Sequence, residues 1–140
     1  MNDNDFSAAV SERRFGGIAR LYGADALNRF AAAHVCVVGV GGVGSWAVEA
    51  LARSGIGALT LIDLDNVAES NVNRQLHALT CDFGKAKVTA LHERILQINP
   101  ACRVTEIEDF VTEDNLPVLF RRPFDFVIDA IDQMRVKAAM

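Results

Sequence analysis

The sequence predicts an α/β fold: a Rossmann-like, mostly parallel sheet with helices on both faces. Two observations predict it. Short runs rich in β-branched residues alternate with longer segments of helical rhythm, and strands that alternate with helices pair in parallel through right-handed crossovers. A glycine-rich loop, Gly39-Val40-Gly41-Gly42-Val43-Gly44, closes the first such run and opens the first crossover helix.

Each element has its own signal. Residues 1–12 are polar and read as loosely ordered, within an N-terminal segment, 1–24, that precedes a nucleotide-binding domain over 25–140. Asp25 to Ala33 reads as a short helix with Leu27, Phe30 and Ala31 on one side. His34 to Val38 is a buried strand bounded by glycine, and Gly44 to Arg53 is a helix closed by Gly55 and Gly57. Leu59 to Asp63 is a second strand. Asp82 is a cap for a long helix from about Lys85 to Asn99, with Val88, Leu91, Ile95 and Ile98 on one stripe and Pro100 as its stop. Arg103 to Ile107, Asp114 to Phe120 and Phe126 to Asp129 read as strand, short helix and strand. The chain ends at Lys137-Ala138-Ala139-Met140, past a strand and without a helix stop signal, so a longer protein is expected.

Composition narrows the function classes. The 140 residues are 51% hydrophobic and 23% charged, with 14 Lys and Arg against 18 Asp and Glu, a net charge of −4. An acidic balance does not suit a protein that wraps nucleic acid over its whole surface. The small basic clusters Arg13-Arg14, Arg20 and Arg121-Arg122 read equally well as solvated surface. Cys36, Cys81 and Cys102 fit no C-x-x-C pair or zinc set and suit a reducing compartment. Met1-Asn2-Asp3-Asn4-Asp5 is no signal peptide, and no run approaches the roughly 18 apolar residues of a membrane span. A cytoplasmic protein without membrane contact is expected.

The glycine loop meets the G-x-G-x-x-G spacing at Gly39, Gly41 and Gly44, with Gly42 between them. Glycines let the backbone approach a phosphate, and the helix N-terminus behind them offers free N–H groups and partial positive charge. Asp63, 24 residues after Gly39 at a strand end, is where a carboxylate can accept from a ribose. The loop alone fits NAD better than ATP, as in an NAD-dependent oxidoreductase or an NAD-binding module.

Four features near strand ends favour ATP. Asp63-Leu64-Asp65 carries two carboxylates where a dehydrogenase needs one. Asn71-Val72-Asn73-Arg74-Gln75 offers amides and a guanidinium suited to phosphate oxygens. Lys85 and Lys87 stand in the first turn of a helix, where cations oppose the dipole unless a polyphosphate lies close. Asp129-Ala130-Ile131-Asp132 ends the fourth strand with two carboxylates that suit Mg²⁺ held partly by phosphate, although Asp129 also reads as a helix cap.

In order, the glycine loop, Asp63-x-Asp65, Asn71-x-Asn73-Arg74-Gln75, Lys87 and Asp129-x-x-Asp132 resemble the ThiF/MoeB/HesA family, relatives of the ubiquitin-activating enzymes, over about residues 13–140. Within it, Arg14-Phe15-Gly16-Gly17, Arg20-Leu21-Tyr22-Gly23, Gly41-Gly42-Val43-Gly44-Ser45-Trp46 and Asn73-Arg74-Gln75-Leu76-His77-Ala78-Leu79 are most similar to the tRNA threonylcarbamoyladenosine dehydratases. The resemblance implies ATP-dependent adenylation of a carboxylate, the threonylcarbamoyl group of a modified tRNA adenosine, followed by cyclisation with loss of water. It also implies a homodimer, tRNA as substrate and contact with a sulfur-transfer protein. Adenylation of a ubiquitin-like sulfur carrier is the alternative.

Carried over by residue, Gly42 approaches the phosphates, Asp63 holds the ribose, and Asn71, Arg74 and Lys87 grip the triphosphate. Asp132, supported by Asp129, holds Mg²⁺. Sulfur-carrier activators of the family begin with Arg-Tyr-x-Arg-Gln, whose second arginine completes the partner's site. Arg14-Phe15-Gly16-Gly17 lacks it, which leaves Arg14 or Arg20 for that role.

Overall fold

The structure, a computed structural model, describes residues 3–132, with side chains from residue 11 onward. The expected chain end at 137–140 and residues 1–2 lie outside the described residues. The elements run α1 (Asp3–Tyr22), α2 (Ala24–Ala32), β1 (His34–Val38), α3 (Gly44–Arg53), β2 (Ala58–Ile62), α4 (Lys87–Ile98), β3 (Arg103–Ile107), α5 (Leu116–Leu119) and β4 (Phe126–Asp129). Two short 3₁₀ turns, Glu69–Asn71 and Thr80–Asp82, interrupt the β2–α4 connection.

All strand pairs are parallel, in the order β3-β2-β1-β4. The α/β class follows the prediction. β1 is central, with Val38 beside Ile62 on one side and Asp129 on the other. The chain leaves β1 toward β2 and β3 and returns to the opposite side for β4. The crevice between the loops after β1 and β4 is therefore the topological switch point of the sheet.

Alternation along the strands splits the core into two layers. Val35, Val37, Leu59 and Leu61 face Val48 and Ala52 of α3 and Val88, Leu91 and Ile95 of α4. Cys36, Val38 and Ile62 turn to the other face, covered by Val111, Leu116 and flanking aromatics of the α5 region. Complete burial of each Leu, Ile or Val contributes about 1.5–3 kcal/mol. Burial also pushes the Cys36 thiol up to about 12, as suits a plain core residue.

Three elements depart from the prediction, one of them α5, which spans Leu116–Leu119 rather than Asp114 to Phe120. Residues 3–12 belong to α1 rather than to a loose stretch. Gly16 and Gly17 obscure that helix in sequence, since each costs about 1 kcal/mol in a helix interior. Tertiary contacts override that cost: Phe15 is buried, and the Arg14 guanidinium donates to the Gln97 and Ile98 carbonyls, both at 2.9 Å. α4 begins at Lys87 rather than Lys85. The preceding backbone is already committed, with Gly84 N–H donating to Val67 C=O, Val67 N–H to Lys85 C=O, and Ala86 bridging Asn66. Asp82 therefore closes a 3₁₀ turn and does not cap α4.

Candidate nucleotide site

The glycine loop is shaped by close backbone approach. Gly39 has φ +82°, and a Cβ there would lie 2.7 Å from Ile131 Cγ2 and 3.0 Å from the Ala130 carbonyl oxygen. A Cβ on Gly44 would lie 1.7 Å from the Gly39 carbonyl oxygen. Only bare backbone lets α3 start this near β1 and lets the β1 and β4 ends meet. Gly41 C=O is held by the Ser45 N–H (3.1 Å) and the Ser45 hydroxyl (2.6 Å). No side chain caps α3. Among the described residues, the N–H groups of Gly41, Gly42 and Val43 donate to nothing within the chain. Uncapped amides at a helix N-terminus form an anion site.

The polar segment after β2 is fastened to that terminus. Trp46 Nε1 donates to Arg74 C=O at 3.0 Å, and Leu76 N–H donates to the Ser45 hydroxyl at 3.2 Å. The Arg74 side chain lies against Gly42, where a Cβ would be 3.4 Å from Arg74 Cγ. Arg74 Nη1 donates to Ser70 C=O and Asn73 Oδ1. Lys87 is only 5% exposed, and its ammonium sits 3.0 Å from Asp65 Oδ2. The Lys87 N–H also donates to Asp65 C=O, which fixes the helix start beside the acidic strand end.

These groups line one cavity of about 400 Å³ at the switch point. Gly39, Gly41 and Gly42 form its floor, Asp63, Asp65, Arg74, Gln75 and Lys87 one wall, and Ala130 to Asp132 the other. Asp63 has a structural task as well: Oδ2 accepts from Val40 N–H and Oδ1 from Asp65 N–H, both at 2.9 Å. Each oxygen keeps a second lone pair for a ligand hydroxyl.

The other sequence-predicted residues are not brought to this cavity. Asn71 is buried and spends Oδ1 on Ala68 N–H. Asn73 is exposed and reaches the cavity only through Arg74. Asp129 Oδ1 accepts from Ile131 N–H, as a strand-end turn requires. Arg14 lines a second cavity with Phe15, Arg53 and Arg94 at the far end of α4, and Arg20 is exposed beside Gly17. Lys85 also stays outside: Glu93 at 2.6 Å and Asp82 at 2.9 Å match its charge and hold its ammonium well above the usual lysine range.

Sequence reasoning misses the rim formed by Asp109, Phe110 and Val111, with Phe110 53% exposed. Their position just past a strand end is the available signal. Sequence reasoning names His77 only within the Asn73–Leu79 motif and without a role; the His77 Nε2 lies 2.8 Å from the Val40 carbonyl oxygen beneath the loop.

The model of the ThiF family matches residues 16–140. The chain belongs to the ThiF family. Among characterised proteins, this ThiF-family chain is 61% identical over 128 residues to the tRNA threonylcarbamoyladenosine dehydratase of Escherichia coli, covering 91% of this chain and 48% of that protein. It is 54% identical over 129 residues to the enzyme of the same name from Haemophilus influenzae, covering 92% and 49%. The chain thus spans about half the length of the curated relatives it matches. The crystal structure of the E. coli dehydratase in complex with ATP superposes with a TM-score of 0.90 at 61% identity, covering 91% of this chain and 53% of that one.

Proposed function

We propose that this chain is the nucleotide-binding part of an ATP-dependent adenylating enzyme whose substrate is the threonylcarbamoyl group of a modified tRNA adenosine. One observation carries the reading. Arg74, Lys87, Asp132 and the uncapped amides of α3 surround a single cavity at the switch point. The residues fit a nucleoside triphosphate: unpaired N–H groups and two cations suit phosphate oxygens, and Asp63 suits ribose hydroxyls. The ATP-bound state of the E. coli dehydratase supports the same ligand.

When bound, ATP supplies the activation: the substrate carboxylate joins its α-phosphorus, pyrophosphate leaves, and ring closure then releases AMP. A carboxylate is a weak nucleophile, so the protein's work is alignment and charge neutralisation. The Gly41–Val43 amides and Arg74 hold phosphate oxygens. Lys87 is buried and fixed by Asp65, so its charge acts in a poorly solvated position. Asp132 is the carboxylate that would hold Mg²⁺, with Asp129 in support, and the bound ion would neutralise charge growing on the phosphates. The partners of this reading are tRNA, a second copy of the chain and a sulfur-transfer protein, in the cytoplasm. Among the described residues no helix is long and apolar enough to cross a membrane.

The test uses the full-length protein with ATP, Mg²⁺ and threonylcarbamoyl-modified tRNA. The expected result is a modified nucleoside lighter by one water, formed only with ATP. Unchanged tRNA, together with pyrophosphate exchange driven by a ubiquitin-like carrier instead, overturns the substrate assignment.

A further inference from the structure

The geometry points to His77 as a positioning residue of this nucleotide site, one that sets the direction of the Gly41 amide by holding the carbonyl of Val40. The inference rests on the nucleotide reading above. His77 is 2% exposed and lies in the segment that also carries Arg74, beneath the glycine loop. Its Nε2 is 2.8 Å from the Val40 carbonyl oxygen. A carbonyl can only accept, so Nε2 carries the proton.

The Val40 carbonyl and the Gly41 N–H belong to one planar trans peptide unit and point in opposite directions. Holding the carbonyl inward, against His77, therefore turns the Gly41 N–H outward. Gly41 lines the cavity, and its N–H has no partner among the described residues. The other end of Val40 is fixed too, through its N–H to Asp63 Oδ2 at 2.9 Å. The residue is held by Asp63, just past β2, on one side and by His77 of the Arg74 segment on the other.

A second observation separates this role from ordinary core packing. His77 Nδ1 is buried and has no hydrogen-bond partner among the described residues. A side chain chosen for packing alone leaves no orphan nitrogen, because an apolar residue of similar size avoids that loss. The orphan is tolerated where the ring's other nitrogen has a task. The neutral ring is the form that suits this place, since a second proton would sit on Nδ1 with no acceptor. Burial lowers the His77 pKa, as does the Lys87 ammonium, while the Val40 carbonyl, Asp63 and Asp82 oppose that shift.

The experiment compares His77→Gln and His77→Asn in the full-length protein. Both carry the same amide, but only glutamine matches the reach of Nε2. Affinities for ATP and for adenosine, which lacks phosphates, are measured by calorimetry beside the unfolding midpoint. In the Asn variant, affinity for ATP and its KM are expected to worsen about tenfold, the size of one misdirected donor. Adenosine affinity stays unchanged, and the Gln variant recovers most of the loss. Equal ATP affinity in wild type and both variants overturns the role of His77, as does parallel loss of ATP and adenosine binding. Wild-type protein that binds no ATP overturns the nucleotide reading itself, a separate outcome.

Discussion

Gly44→Ala tests whether close backbone packing shapes the phosphate cradle. The new Cβ would lie 1.7 Å from the Gly39 carbonyl oxygen and 2.8 Å from its carbon. Because such contacts do not fall below about 3 Å, loop and helix must separate by about 1 Å, and a shift of that size costs on the order of 100-fold in rate. Gly39 has little room to yield, being pressed against Ile131 and Ala130 on its other side. Overpacking of this kind costs about 1–3 kcal/mol, and each kcal/mol lowers Tm by roughly 2–4 °C in a chain of this size. Gly16→Ala is the matched control. Nothing lies within 4 Å of a Cβ at Gly16, which sits inside α1. The same chemical change there is expected to stabilise by about 0.5–1 kcal/mol with ATP affinity unaltered. Thermal unfolding and ATP calorimetry on both variants read the outcome. A Gly44→Ala protein with wild-type Tm and wild-type ATP affinity would refute the argument.

Three further outcomes follow from the same geometry. Lys87→Met keeps the length of the side chain and removes its charge, so ATP affinity is expected to fall about 10- to 100-fold. Folding stability should change by less than about 1 kcal/mol, because the lost ion pair with Asp65 is offset by relief from burying an ammonium; unaltered ATP affinity in calorimetry would remove Lys87 from the phosphate site. Asp132→Asn should shift the Mg²⁺ dependence of pyrophosphate exchange to higher concentration and leave metal-free ATP binding intact, and an unchanged Mg²⁺ titration curve would exclude Asp132 as a ligand. Stability should fall with acid in two stages. The pKa values of His34 and His77 are lowered from 6.5, chiefly by burial, so below about pH 6.5 the unfolded chain takes up protons that the folded chain refuses. Glu49 is held below 4.5, first by its hydrogen bond from Arg94, so the stability it contributes is present above about pH 4.5 and lost as pH falls through its folded value. A Tm that stays flat or rises from pH 7 to pH 5.5 would contradict the first stage.

Much of the fold is legible in the chain because its signals are local. The strands His34–Val38 and Arg103–Ile107 and helix Gly44–Arg53 fall where β-branched runs, helical rhythm and glycine punctuation put them. Gly39 and Gly44 are similarly readable, since their spacing after a strand reflects a backbone that no other residue can follow. Asp63 and Asp132 share the cavity because residues just past strand ends in this topology face one crevice, and Arg74 and Lys87 reach it from the β2–α4 connection and the start of α4.

What the sequence by itself determined was which backbone could form: period, turn residues and β-branching act over a few neighbours and are written in order along the chain. Only the tertiary structure decided how polar side chains are spent. Asn71 and Asn73 look like phosphate ligands in the string, yet one accepts from Ala68 and the other from Arg74. Lys85 and Lys87 look equivalent, yet Glu93 and Asp82 draw one outward while Asp65 fixes the other in the cavity wall. Arg14 serves the end of α4 some 83 residues away in sequence, and His77 meets Val40 across 37. The physical reason is range: a hydrogen bond is worth forming only at about 3 Å, and which groups come that close depends on how the whole chain has packed.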